Sequence, residues 1–128
     1  MIEIVTDPFP SDDTLRLLWL SAWGDEGPAT FQPLLSRSLT HVGAYDGAVL
    51  VGFVNVAWDG GVHAFILDTC VHKAHRRQGI ALRLVARAAE VAKARGAHWL
   101  HVDFEPHLEG FYRQCGFGPT GAGLMRLN

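Results

Sequence analysis

The most informative part of the sequence is residues 71–81, which read VHKAHRRQGIA. They join a predicted strand, 62–71, to the clearest predicted helix, 80–95, which is rich in Ala and Leu. This junction offers no Ser, Thr, Asp or Asn to cap the helix, and its charges are positive where acids are usual. The N–H groups of residues 77–81 therefore lack a partner, and Gly79 allows an anion to approach the backbone closely. The junction is predicted to be a phosphate-binding loop.

The charges of the chain are unevenly distributed. The whole chain has a net charge of −2, which argues against a general nucleic-acid binder. Residues 1–68 carry a net −7, whereas residues 69–102 carry a net +6. A basic segment within a nearly neutral protein favours a specific anionic ligand. The alternative, that these residues form only a solvated helix face, stays open for Arg83, Arg87, Lys93 and Arg95.

Length and composition predict a single domain over residues 1–128. With 48% hydrophobic residues, four Trp and seven Phe, the chain is not of the disordered class. The two cysteines do not have the spacing of a disulfide framework, and the N-terminus lacks the basic and apolar regions of a signal peptide. The longest apolar run, 48–58, is too short to cross a bilayer. We therefore expect a cytoplasmic protein with no membrane partner.

The order of the predicted elements indicates an α+β fold. Antiparallel strands are expected where turn signals such as Asp46-Gly47 join alternating segments, and the unit 62–104 is expected to be a parallel, right-handed strand-helix-strand. The result is a mostly antiparallel mixed sheet flanked by helices. The predicted strands are 2–6, 41–45, 48–58, 62–71, 98–104 and a last one from 117 onward; the predicted helices are 11–22, 32–39, 80–95 and one from 106.

Two motifs resemble those of the GNAT-type N-acetyltransferase superfamily. The first is Arg76-x-x-Gly79-x-Ala81 after an apolar strand, which is similar to the acetyl-CoA signature of that family. The second is the segment 111–117, which reads FYRQCGF. The resemblance covers about two-thirds of the chain. It departs at Lys73 and Arg77, where the family often has Pro and Gly, and at Glu105, where it often has an Asn that contacts pantetheine. That contact is not transferred to Glu105.

The resemblance implies a binding mode for acetyl-CoA as cosubstrate. The phosphates of CoA would lie on the backbone amides of the loop, and the pantetheine arm would pair with the edge of the preceding strand, which splays from its neighbour to form a slot. A backbone N–H near the end of that strand would polarise the thioester carbonyl. The cofactor-binding residues implied in this way are Thr69, Cys70, Val71, Arg76, Arg77, Gln78, Gly79, Ile80 and Ala81.

The same resemblance implies direct acetyl transfer to a primary amine in a ternary complex. Tyr112 is the expected general acid because a phenol is protonated at neutral pH and can donate to a departing thiolate. Two bases are left open. Asp68 occupies a position that is often acidic in the family, and His101 alternates with Asp103 and Glu105 on one strand face.

The sequence also contains candidate metal ligands. A metal site is suggested by His98, His101, Asp103 and His107, but strand alternation separates them, so no metal is expected.

A non-catalytic acyl-CoA-binding or regulatory module on the same fold is the alternative function. The acceptor, a small-molecule amine or a protein amine, is not identified, although Asp25 and Glu26 would attract a cation. Members of this family often form homodimers, so a homodimer stays open as an expectation.

Overall fold

The computed structural model describes residues 1–128 and has five strands in one sheet, in the order β1-β2-β3-β4-β5. Neighbouring strands from β1 to β4 are antiparallel, and β5 is parallel to β4. The predicted fold class is thus confirmed, including the parallel strand-helix-strand unit. The elements are β1 Ile2–Thr6, α1 Asp12–Trp23, α2 Gln32–Arg37, β2 Ser38–Asp46, β3 Val49–Trp58, β4 His63–Val71, α3 Ile80–Ala94, β5 Trp99–His101 and α4 Glu109–Gln114.

Two hydrophobic clusters cover the two faces of the sheet. Helix α3 packs over one face, where Leu84 and Ile80 would lie 3.0 and 3.1 Å from a Cβ placed on Gly52 of β3. The glycine therefore allows the N-terminal half of α3 to approach the strands closely. Helices α1 and α2 cover part of the opposite face and pack on Phe53 and Cys70. None of the helices is both long and apolar enough to span a membrane.

Helix α1 begins as the sequence predicts. The Ser11 side chain accepts a hydrogen bond from the backbone N–H of Thr14 at 3.2 Å, and Asp12 and Asp13 occupy the first turn. Helix α2 is shorter than expected and ends at Arg37 because Ser38 donates its hydroxyl to Leu35 O and starts β2.

The basic face of α3 is not simply solvated. Arg83 donates to the carbonyl of Ile2 at 3.2 Å, and Arg87 donates to the carbonyl of Ile4 at 3.4 Å. Arg95 forms a 2.8 Å ion pair with Asp7. The alternative of a merely solvated face therefore does not hold for these three arginines, which attach α3 to β1 and to the loop that follows it.

Two predicted strands differ from the structure. The strand expected over 98–104 pairs only as Trp99–His101, because β4 becomes irregular beyond the paired residues His63–Phe65. The last strand expected from Phe117 onward is absent, and residues 117–128 form no helix or strand. Pro119 and three glycines disfavour an extended ladder there, since glycine loses much conformational entropy and proline lacks a donor.

Candidate active site

The edge of β4 is open along two-thirds of its length. Strand β5 pairs with His63–Phe65 and ends at His101, so the β4 edge from Ile66 to Val71 has no neighbouring strand. On the other side of β4 the register shifts, because Leu67 pairs with Asn55 but Cys70 pairs with Phe53. Two residues of β4, Asp68 and Thr69, thus stand opposite a single residue of β3. We call the gap beside this free edge the slot.

The loop before α3 presents unpaired backbone donors. Arg77 and Gly79 both have left-handed backbone conformations, with φ of 64° and 75°. No side chain caps α3, and the N–H groups of Arg77, Gln78 and Gly79 have no protein acceptor. The dipole of this 15-residue helix adds a partial positive charge. A Cβ on Gly79 would meet no atom within 4 Å, so the space in front of these donors is open.

A cleft of about 470 Å³ joins the loop to the slot. It contains every residue predicted to bind the cofactor except Gln78, which is exposed on the loop outside the cleft. The sequence does not predict the contribution of α1, nor any lining residue of α4 other than Tyr112, because these segments meet the loop only through the tertiary fold. The additional lining residues are Ala22, Trp23, His75, Leu82, Leu108, Phe111 and Gln114.

The three cations of the loop do not have equivalent surroundings. Arg76 donates to the carbonyl of Ala22 at 3.1 Å, and the backbone N–H of Lys73 donates to Ser21. Arg76 therefore ties the C-terminal end of α1 to the loop, although it also lines the cleft. The side chains of Lys73 and Arg77 form no hydrogen bond or ion pair. These two remain available to an anion.

Tyr112 lies in the cleft wall opposite the free edge of β4. It is 6% exposed and packs against Phe104, Phe111 and Phe117, with the Phe104 ring stacked at a centroid distance of 5.0 Å. Burial raises the pKa of its phenol above 10, and the nearby Thr69 hydroxyl partly offsets this rise. Apart from this phenol, the buried Thr69 Oγ1 has no hydrogen-bond partner. A protonated donor and a hydroxyl with no other partner thus meet at the slot.

Asp68 is a half-buried carboxylate in a strained conformation. Its φ is 59°, which a residue with a side chain rarely adopts. Burial raises the pKa of its carboxyl above 3.8, and no hydrogen bond or cation opposes that rise. Burial, with a contribution from Asp68, raises the pKa of Cys70 to about 12, so this thiol stays protonated. Strain and an uncompensated carboxylate together are typical of functional sites.

His101 lies at the point where the paired part of β5 ends. Its Nε2 is 2.8 Å from Nδ1 of His63, and its ring stacks on Phe65 at 4.6 Å. The predicted alternation of His101, Asp103 and Glu105 along one strand is wrong, because the strand stops at His101. Asp103 lies near enough to Tyr112 to affect the phenol, whereas Glu105 is exposed beside His107.

The structure contains a second hollow and no preformed metal cluster. A depression of about 540 Å³ lies at the C-terminal end of α3, where Lys93 and His98 are the ionisable residues among mostly apolar neighbours. No three His, Cys, Asp or Glu side chains are grouped to hold a metal ion. Both cysteines are free.

The sequence model of the acetyltransferase (GNAT) family matches residues 1–117. The chain belongs to this family. A GNAT family acetyltransferase from Streptococcus pneumoniae TIGR4 has a TM-score of 0.82 and 26% identity over 100% of this chain and 98% of that chain.

Two curated relatives are similar over a shorter segment. A probable glucosamine 6-phosphate N-acetyltransferase 2 from Oryza sativa subsp. japonica is 37% identical over 62 residues, which is 48% of this chain and 37% of that protein. Glucosamine 6-phosphate N-acetyltransferase 1 from the same source is 38% identical over 71 residues, or 56% of this chain and 42% of that protein. The matched segments thus span about two-fifths of these relatives.

Structural similarity extends further than sequence similarity. The glucosamine-6-phosphate N-acetyltransferase of Arabidopsis thaliana has a TM-score of 0.80, covers 99% of this chain and 98% of its own, and is 14% identical. At that identity the likeness shows a shared fold. It leaves open which acceptor this GNAT family member uses.

Proposed function

We propose that the protein is an N-acetyltransferase that moves an acetyl group from acetyl-CoA to a primary amine by direct attack in a ternary complex. The observation that carries the proposal is a continuous path. It runs from the uncapped N-terminus of α3 along the free edge of β4 to Tyr112. Family membership and relatives named as N-acetyltransferases support it.

The loop and the strand edge suit the two ends of the cosubstrate. The amides of residues 77–81 would receive the phosphates, with Lys73 and Arg77 adding positive charge. The backbone of Thr69, Cys70 and Val71 would pair with the pantetheine arm as an additional strand would. Acetyl-CoA supplies an activated acetyl group as a thioester, and the N–H near Val71 would polarise its carbonyl.

Asp68 is the base that the geometry favours over His101. Asp68 lies on the free edge of β4 without lining the cleft itself, and its carboxylate has no partner. Nε2 of His101, in contrast, is engaged by His63. Asp68 takes a proton from the acceptor ammonium, which frees the lone pair for attack on the thioester carbon. The raised pKa of Asp68 makes it a stronger base than an exposed carboxylate.

Tyr112 completes the transfer from the opposite wall. As the new C–N bond forms and the C–S bond breaks, negative charge develops on the sulfur. The Tyr112 phenol donates its proton there, and the attacking nitrogen releases its second proton to solvent as it becomes an amide. Solvent then reprotonates the phenol. Because burial raises the pKa of this phenol, it stays protonated throughout the neutral range.

The proposal also covers the domain that carries the activity and the compartment in which it takes place. One domain, residues 1–128, would carry both the cofactor site and the chemistry. Two free cysteines are compatible with the cytoplasm, where thiols stay reduced. A non-catalytic acyl-CoA-binding module is the second candidate, because the loop could bind CoA whether or not transfer follows.

Two assays test the proposal. CoA at about one hundred times its Kd should raise Tm by about 10 °C, since ligand binding of that strength adds about 2.7 kcal/mol to stability. Acetyl-CoA with a panel of amines should release free thiol, and Tyr112→Phe or Asp68→Asn should lower kcat by about 100-fold while CoA binding persists. His101→Gln is the matched control.

The outcomes separate the candidates. A CoA-dependent rise in Tm without thiol release from any amine would establish the non-catalytic module instead. If CoA leaves Tm unchanged, the cofactor site itself is misassigned. If His101→Gln lowers kcat more than Asp68→Asn, the base is His101.

A further inference from the structure

The sheet face opposite α3 is left partly bare beside the slot. Registers place Asn55 next to Leu67 and Phe65 next to His101, and these four residues share that face. We call them the open face. Helices α1 and α2 stop short of Phe65 and Leu67, which are 40% and 42% exposed, whereas Asn55 is covered.

Asn55 is the buried polar group of the open face. It is 4% exposed, yet its Oδ1 has no hydrogen-bond partner. Its neighbours Val54 and Val56 point into the cluster beneath α3, so the Asn55 amide points to the open face. Nearly all buried polar atoms in proteins are paired. A donor from outside the protein would complete this one.

A second unpaired oxygen group lies beside the first. Asp68 directly follows Leu67, the partner of Asn55 across the strands. The Asp68 carboxylate acts on the thiol of Cys70, which packs with Phe53 beneath α1 on this same side of the sheet. Two oxygen acceptors therefore flank Leu67. A group that offers several N–H donors and a positive charge would satisfy both.

The charges around the open face suit a cationic ligand and not an anionic one. Strands β3, β4 and β5 contain no Lys or Arg. Arg16 of α1 donates to the carbonyls of residues 26, 28 and 29 and lies over the face of Phe31. Arg76 is close enough to Cys70 to act on its thiol, but its guanidinium donates to the carbonyl of Ala22. Asp25 and Glu26 add negative charge to the α1–α2 loop. A phosphate on the acceptor would find no strong partner here, whereas an ammonium would.

The remainder of the open face is flat and apolar. The His101 ring stacks on Phe65 with an interplanar angle of 18°, and the exposed Leu67 extends the surface towards Asp68. An aromatic ring could lie on this surface while its aminoethyl chain reaches the two oxygen groups. Such contacts are apolar and do not require a cation.

We propose that the acceptor is an arylalkylamine whose ring lies on Phe65 and Leu67 and whose ammonium is bound by Asp68 and Asn55. This inference rests on the proposed transfer reaction, because it uses the same slot and the same Asp68. It makes Asn55 a determinant of acceptor specificity and separates this chain from relatives named for glucosamine 6-phosphate.

The test compares acceptors and variants. Wild-type kcat/KM should be at least about 10-fold higher for 2-phenylethylamine than for glucosamine 6-phosphate, the discrimination that one charged hydrogen bond provides. Asn55→Leu keeps the size and removes the amide, and should raise KM for 2-phenylethylamine about 10-fold with kcat within about 2-fold. Phe65→Ala should raise KM about 5-fold. Val49→Ala, at an exposed residue of the β2–β3 hairpin, is the control.

Calorimetric binding of 2-phenylethylamine to the CoA-saturated protein separates this inference from the transfer reaction. Binding that Asn55→Leu weakens supports the inference even if no acetyl group moves, in which case only the proposed function fails. Preference for glucosamine 6-phosphate, or a KM that Asn55→Leu and Phe65→Ala leave unchanged, would overturn the inference and leave acetyl transfer intact. Absence of both binding and turnover would overturn it as well.

Discussion

The two ends of the sheet treat their polar groups in opposite ways. At the β1–β2 end, Asp7 accepts hydrogen bonds from Thr40 and the backbone of His41 and pairs with Arg95. At the β4–β5 end, Asp68 and Thr69 are left without such partners. Polar side chains are thus fully hydrogen-bonded where only stability is required, and incompletely so where a ligand is expected. The following predictions probe that contrast.

The largest effect is expected in the core beneath α3. Leu84 is fully buried and contacts the Gly52 region of β3. Leu84→Ala should lower the free energy of unfolding by about 3 kcal/mol, since it leaves a cavity. Leu17→Ala, at a 70% exposed residue of α1, should change it by less than about 0.5 kcal/mol. Urea denaturation of both variants measures the difference, and equal losses would refute the packing described here.

The Asp7 network should be the next most sensitive. Asp7→Asn removes the charge that pairs with Arg95 and weakens the acceptor for Thr40 and His41. We expect a loss of about 2 kcal/mol in the free energy of unfolding. Glu90→Gln, on the exposed side of α3, is the matched control and should be nearly neutral. If Asp7→Asn is also neutral, the closed end of the sheet does not depend on this network.

Glycine at the loop links stability to cofactor binding. Gly79→Ala places a side chain at φ 75°, so we expect a loss of about 1 kcal/mol from backbone strain. The same shift should misalign the N–H groups and weaken CoA binding, measured by calorimetry. Gly60→Ala, at φ 84° in the β3–β4 turn, carries similar strain and should leave the Kd of CoA unchanged. Equal Kd values for both variants would remove the loop from the cofactor site.

The buried ring of His41 should make the free energy of unfolding depend on pH, with a smaller effect than the substitutions above. Its Nε2 accepts a hydrogen bond from the N–H of Phe9, and burial lowers the pKa of the ring below 6.5. The unfolded chain therefore binds more protons below pH 6.5, and the free energy of unfolding should fall as the pH drops from 7 to 5. His41→Asn should flatten this dependence in thermal unfolding, whereas His107→Gln, at an exposed residue, should retain it. A slope that survives His41→Asn must arise elsewhere.

Asp7 should act in a separate pH window. Burial alone would raise the pKa of its carboxyl, but hydrogen bonds from Arg95, Thr40 and His41 outweigh burial and lower it below 3.8. Its contribution is therefore complete above pH 3.8 and is lost as the pH falls through the lowered value. Acid titrations below pH 4, followed by circular dichroism, should show Asp7→Asn losing less stability than wild type. Parallel curves would contradict this account.

The sequence predicted the elements whose signals are local. The cap at Ser11, the hairpin at Asp46-Gly47 and the uncapped start of α3 are all found. The early end of β5 was not predictable, because it depends on the irregular register of β4 against β3. The sequence likewise gives no sign that Arg76 binds Ala22 or that Asn55 is left unpaired, since both depend on distant segments meeting.

The arginines that hold α3 against β1 also impose an order on biosynthesis. Ile2 and Arg83 are 81 residues apart, and Ile4 and Arg87 are 83 apart. Strand β1 therefore leaves the ribosome well before the arginines that bind its carbonyls, which follow more than 80 residues later in the chain. Until then β1 keeps an uncovered edge, which is the part of a nascent sheet most prone to pair with other chains.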